Sequence, residues 1–142
     1  NTNELEFIED TEFRQNIRND LSAISRALAN SEWKAATVLA GSVLEALLLW
    51  KLDKVQSQAM ATNYASQKKL THLEQWHLPD YIEAASELKL LGEDTANQAR
   101  LAKGFRNLIH PGRSIRLGQI CNRGTAFGAV AAVELVMEEL SH

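Results

Sequence analysis

Apolar residues recur every three or four positions through most of this chain, and two-residue alternation never persists over the length of a strand. That spacing lays one apolar stripe along a helix, whereas a half-buried strand needs a period of two, so the chain reads as all-α. The first stripe, Phe13, Ile17, Leu21, Ile24 and Leu28, defines an amphipathic helix over Thr11–Ala29. Ser31 is the expected N-cap of a second helix carrying Trp33, Val38, Leu39, Val43, Leu44, Leu47, Leu48 and Trp50. Its apolar residues nearly encircle the axis, so it is expected at the centre, with Ala40 and Gly41 admitting a close neighbour.

The pattern weakens from Val55 to Lys69, which reads as a connection that is helical only at its ends. Thr71 and Glu74 have capping-box spacing ahead of a short turn with Leu73 and Trp76. Asp80 and Glu83 repeat that spacing after Pro79 and open a helix through Ile82, Ala85, Leu88 and Leu91, stopped by Gly92. A fourth helix is expected from Asp94 to Ile109 or His110, ended by Pro111-Gly112, because proline disfavours helical geometry in the residue before it. A glycine-punctuated stretch, Gly112–Gly124, leads to a last helix from Thr125 to Leu140 carrying Phe127, Val130, Val133, Val136, Met137 and Leu140. There is no internal repeat.

With 142 residues, few prolines and glycines and no low-complexity tract, the chain is sized for one compact helical domain, residues 1–142. Its longest apolar runs, Val43–Trp50 with Glu45 inside and Ala129–Val133, fall short of a membrane span, so no membrane is expected. The single Cys121 excludes an internal disulfide and fits a cytoplasmic location. No basic-then-apolar leader is present, and Asn1 in place of a Met reads as a trimmed terminus or a piece of a longer protein.

The net charge of −3 conceals a strong asymmetry. Between Asp94 and Glu134 there is no acid, and the interval holds Arg100, Lys103, Arg106, Arg113, Arg116 and Arg123, a charge of +6 that leaves −9 for the remainder. An acidic total therefore does not exclude a polyanionic ligand. At about 100° per residue from Arg100, Leu101, Ala102, Phe105, Leu108 and Ile109 fall on one arc, read as core, and Lys103, Arg106, Asn107 and His110 on another. Arg106 and His110 are neighbours four apart, and His110 sits at a helix end. A guanidinium can grip phosphate oxygens with paired hydrogen bonds, and an imidazole can pass a proton to or from a ribose oxygen, so the group suits a phosphodiester without needing a metal.

The string Phe105-Arg106-Asn107-Leu108-Ile109-His110-Pro111-Gly112-Arg113, with Leu39-Ala40-Gly41-Ser42-Val43-Leu44-Glu45-Ala46-Leu47-Leu48, resembles the HEPN superfamily of prokaryotic toxins, defence proteins and their non-catalytic relatives. The resemblance spans most of the chain and implies an up-and-down bundle of four to five helices. It further implies a metal-independent endoribonuclease site, shared between two protomers of a homodimer, in which the matching residues are Arg106, Asn107 and His110. Glu45 interrupts the most apolar helix; it either reaches the surface near Lys34 or pairs with a cation such as Arg106 or His110, and the resemblance favours the pairing.

Other motifs carry less. Ser31-Glu32-Trp33-Lys34 and Ser66-Gln67-Lys68-Lys69 both match S-x-x-K, but the accompanying strings of penicillin-binding enzymes are absent. His72 and His77, five apart, do not converge on a metal with Glu74 and read as surface residues. Gly118, Gly124 and Gly128 fit no phosphate-binding fingerprint. Cys121 reads as packed, and Trp33, Trp50 and Trp76 as core or dimer contacts.

The leading expectation is thus an RNA-directed domain, a metal-independent endoribonuclease. His110 is its general acid/base, Arg106 binds the scissile phosphate, Asn107 orients one of them, and Arg100, Lys103, Arg113 and Arg116 grip the backbone. No cofactor or metal is expected. Catalytic members place a longer spacer between Arg and His than the three residues found here, which motivates an alternative: a non-catalytic helical dimerisation or partner-protein-binding module. Binding of a nucleotide or other small anion at the Arg106/His110 face is the third reading.

Overall fold

In the computed structural model, residues 5–103 and 121–141 are described. Among them the chain forms seven α-helices and no strand: α1 (Thr11–Ala29), α2 (Trp33–Asp53), α3 (Gln56–Met60), α4 (Asn63–Lys68), α5 (Leu78–Glu87), α6 (Glu93–Lys103) and α7 (Arg123–Leu140). The protein is all-α, as the periodicity requires. α1 has the bounds its apolar stripe defines; Asp10 caps it by accepting from the Phe13 N–H at 3.0 Å.

Only three residues separate α1 from α2, so the chain must reverse sharply. Ser31 makes that reversal with φ 58°, donating its N–H to Leu28 O at 3.1 Å, and is therefore not the N-cap expected of it. The cap position falls to Glu32, whose side chain makes no capping bond.

α2 is the central helix. Nine of its residues are buried, among them Ala36, Ala40, Gly41, Leu44 and Leu48, and it packs on α1, α5 and most extensively α7. By length and composition it is apolar enough to cross a bilayer, although Lys34, Glu45, Lys51 and Asp53 interrupt its apolar residues. Its apolar surface is instead met by protein: half of its most apolar window is buried inside the fold.

The stretch 55–69 is helical through most of its length rather than only at its ends, forming α3 and α4. Its apolar signal is carried by small residues, Ala59 and Ala65, which are buried. The rest is tertiary and capping support: Thr62 Oγ1 accepts from the Ala65 N–H at 3.1 Å, and the Glu87 carboxylate of α5 accepts from the N–H groups of Asn63 and Tyr64 at 2.7 and 3.1 Å. The box expected at Thr71 and Glu74 does not form. His72, at φ 47°, enters a single 3-10 turn over Leu73–Gln75, and Thr71 O instead accepts from Trp76 Nε1 at 3.1 Å.

α5 starts at Leu78, earlier than the Asp80 opening, with Pro79 in its first turn where a missing N–H costs nothing. Asp80 reaches back to accept from the His77 N–H at 3.0 Å. The helix ends before Gly92: Leu88 is its C-cap and Lys89, at φ 62°, turns the chain. Gly92 serves the next helix, its N–H donating to Glu139 Oε1 of α7 at 2.8 Å.

α6 buries Thr95, Ala96, Ala99 and Ala102, while Leu101, assigned by the helical wheel to the core arc, is 67% exposed. Weighting large apolar residues misplaces this face. The alanines let α6 lie close on α7, where Gln98 Nε2 donates to Gly128 O at 3.1 Å.

Candidate functional site

Two hydrogen bonds fix how the charged segments lie in space. Gly92 meets Glu139 and Gln98 meets Gly128, so α6 and α7 run antiparallel. α6 therefore carries the chain from Gly92 to Lys103, about 16 Å at 1.5 Å per residue, away from the end where α7 finishes. Glu93 and Asp94 at the start of α6 share that first end with Glu134, Glu138 and Glu139 of α7. Lys103 and Arg123, which flank residues 104–120, come to the opposite end. Lys103 and Arg123 thus meet at one end of the α6–α7 pair, and the acids of these two helices lie toward the other.

α2 begins at the cationic pole as well. Ala36 of α2, Ala126 of α7 and Ala27 of α1 form a small apolar cluster there, with Leu28 and Trp33 against it. Three alanines bring the helix ends together but leave large neighbours only partly covered. Trp33 is half-buried and Phe127 is 45% exposed, their ring centroids 6.2 Å apart and inclined by 48°. The Arg123 guanidinium carbon stands 5.4 Å from the Phe127 centroid. Lys34 is exposed in the first turn of α2. Neither α2 nor α7 has an acid in its first turn; α7 begins on Arg123, against the preference of the helix dipole, whereas α2 has Glu32 at its N-cap ahead of Lys34.

Cys121, half-buried at this end, has its thiol pushed up by burial, with the Thr37 hydroxyl and the Lys34 charge acting in the opposite direction. The phenol of Tyr81 is pushed up to about 12, first by burial and then by the charge of Glu45, Asp80 and Glu74. Glu45 is half-buried on α2, close enough to Tyr81 for that influence to register.

Of the residues singled out from the sequence, Arg106, Asn107, His110, Arg113 and Arg116 lie outside the described residues. Lys103 closes α6 at the cationic pole. Arg100 is engaged by protein: its Nε and Nη2 donate to the two Glu83 oxygens at 2.7 and 2.9 Å, and its Nη1 donates to Asn97 Oδ1 at 2.7 Å. The fork-on-fork bond to Glu83 holds the guanidinium above its ordinary pKa. His72, Glu74 and His77 are exposed, and among the described residues no three His, Cys, Asp or Glu side chains converge to hold a metal.

Trp33, Phe127 and Arg123 form the grouping that the sequence reading did not single out. Phe127 counted as core by its place on the α7 stripe, and Trp33 as core or dimer contact; nothing in their spacing showed that the residues beneath both are alanines. The described surface also has open hollows, one of about 400 Å³ beside Glu134, Met137, Glu138 and Ser141 and another of about 450 Å³ beside Lys89, Gly92 and Arg100. No protein-family model, curated protein or solved structure matches this chain.

Proposed function

We propose that this chain is an RNA-directed helical domain of the HEPN type, a metal-independent endoribonuclease of a prokaryotic toxin or defence system. The observation that carries the reading is the cationic pole: the acid-free interval leaves α6 at Lys103 and re-enters α7 at Arg123, beside exposed Phe127 and Lys34. A pole of one sign attracts a phosphodiester backbone and releases its counterions, so binding weakens steeply with salt. Within the interval, Arg106 binds the scissile phosphate, His110 transfers the proton at the ribose oxygen and Asn107 orients one of them. Lys103, Arg113 and Arg116 hold the backbone on either side. Arg100, bound to Glu83, contributes mainly to the fold, and Glu45 acts from α2.

The test is cleavage of a single-stranded RNA in EDTA. The purified protein is expected to cut, and His110→Ala to lower the rate by about 10²–10⁴-fold, the usual contribution of a general acid/base, with its helical circular dichroism unchanged. Undiminished cutting by that variant rejects the assignment.

A further inference from the structure

The Trp33–Phe127 pair has a geometry that its place in the fold does not require. A core aromatic is covered on both faces; here Phe127 keeps 45% of its surface in solvent while resting against half-buried Trp33 at 6.2 Å. The charged groups bordering the pair are predominantly cationic. Arg123 lies over the Phe127 ring, its guanidinium carbon 5.4 Å from the centroid, exposed Lys34 follows Trp33, and exposed Arg26 is in the last turn of α1; exposed Glu32, the N-cap of α2, is the acid that precedes Trp33. Arg123 in the first turn of α7 is electrostatically unfavourable for the isolated protein, and an anion at this end relieves it; at the start of α2 the N-cap Glu32 already offsets Lys34. An exposed ring carrying a planar guanidinium over its face, with a flexible ammonium nearby, meets both parts of a nucleotide: the guanidinium on its aromatic support takes the base, the cations its phosphates.

We propose that Trp33, Phe127, Arg123 and Lys34 form a base-stacking subsite for single-stranded RNA, an inference that rests on the RNA-directed reading above. Arg123, supported on the Phe127 ring, stacks one unpaired base and reaches the neighbouring phosphate, and Trp33 sets the tilt of the ring. The subsite selects unstacked strands over duplex, because only an unpaired base presents its face to a protein ring.

The test uses three probes of equal length: a 2′-O-methyl oligoribonucleotide, which ribose-assisted cleavage cannot consume; its abasic counterpart; and a 2′-O-methyl duplex. The single strand is expected to bind roughly five- to a hundredfold more tightly than the abasic backbone, the range for one stacked base. Phe127→Leu, which keeps an apolar side chain against Trp33 but removes the π face, is expected to erase that difference and leave abasic binding unchanged. Arg123→Gln is expected to weaken both and to lower the log–log salt slope by about one. Thermal unfolding of each variant, read by circular dichroism, checks that the fold is kept. Equal binding of single-stranded and abasic probes by the wild-type protein overturns the subsite while leaving the RNA reading standing. So does a base preference that persists in Phe127→Leu. Absence of binding to all three probes overturns both.

Discussion

At the scale of single residues, several side chains of this protein act as acceptors for backbone groups that helix ends leave open. Glu139 is the clearest case. It sits in the last turn of α7, where the helix dipole disfavours an acid, yet its Oε1 accepts the Gly92 N–H at the start of α6, where the dipole favours one. A Cβ on residue 92 would stand 2.9 Å from that oxygen, so the hydrogen bond depends on glycine there. Gly92→Ala is expected to gain about 0.4–1 kcal/mol by restricting the unfolded chain. It is also expected to lose about 0.5–1.5 kcal/mol as the carboxylate is displaced, so the net change is near zero. In a Glu139→Ala background the loss disappears and the same substitution stabilises. Urea unfolding of the four proteins of this double-mutant cycle is expected to give a coupling of about 1 kcal/mol. Additive changes would show that the contact contributes nothing. None of this was legible in the sequence, where Gly92 reads only as a helix stop and its partner lies 47 positions away.

At the scale of elements, α5 ties the fold together through one acidic row. Asp80 accepts from the Tyr64 hydroxyl at 2.7 Å, Glu83 holds Arg100 of α6, and Glu87 caps α4. Burial and the neighbouring Asp80 raise the Tyr64 phenol, while burial raises that of Tyr81, whose hydroxyl donates to Leu73 O at 2.8 Å. Both native phenols thus ionise later than in the unfolded chain. Their contribution to stability is complete below pH 10 and is lost as pH rises through the raised values, about 12 for Tyr81. These are the chain's only tyrosines, so ultraviolet phenolate absorbance is expected to stay flat through pH 10 and to rise above it together with loss of helical circular dichroism. Half of the absorbance titrating near pH 10 with helicity intact would contradict this. The same elements show what a sequence exposes: α1 and α2 announce themselves through Leu, Ile and Val at helical spacing, whereas α3 and α4 depend on Ala59, Ala65 and a carboxylate from α5. Alanine carries too little apolar weight to mark a face, and a distant cap leaves no local pattern.

At the scale of the molecule, charge segregation follows from sequence order plus one geometric fact, the antiparallel pairing of α6 and α7. The +6 interval was visible in the sequence, but Lys103 and Arg123 within it come to one end only because that pairing returns the chain to where it left. The polar arc read for the candidate site rested on a helical wheel whose apolar side was rotated, since α6 buries Ala96, Ala99 and Ala102 and leaves Leu101 in solvent. Leu101 then has a testable role. An isolated exposed leucine is ordinary, but this one lies five positions before Arg106 in the interval that also carries His110, where a two-protomer site would form. If the chain acts as the proposed homodimer, native mass measurement gives twice the chain mass, and Leu101→Lys shifts it toward the monomer by burying an unpaired ammonium at the contact. Because the side chain is 67% exposed within the protomer, that variant is expected to change unfolding stability by less than about 0.5 kcal/mol. RNA cleavage should fall in step with the dimer fraction as the variant is diluted, since each site draws on both copies. A wild-type monomer that cleaves at full rate would assign the whole chemistry to one chain and leave Leu101 as surface.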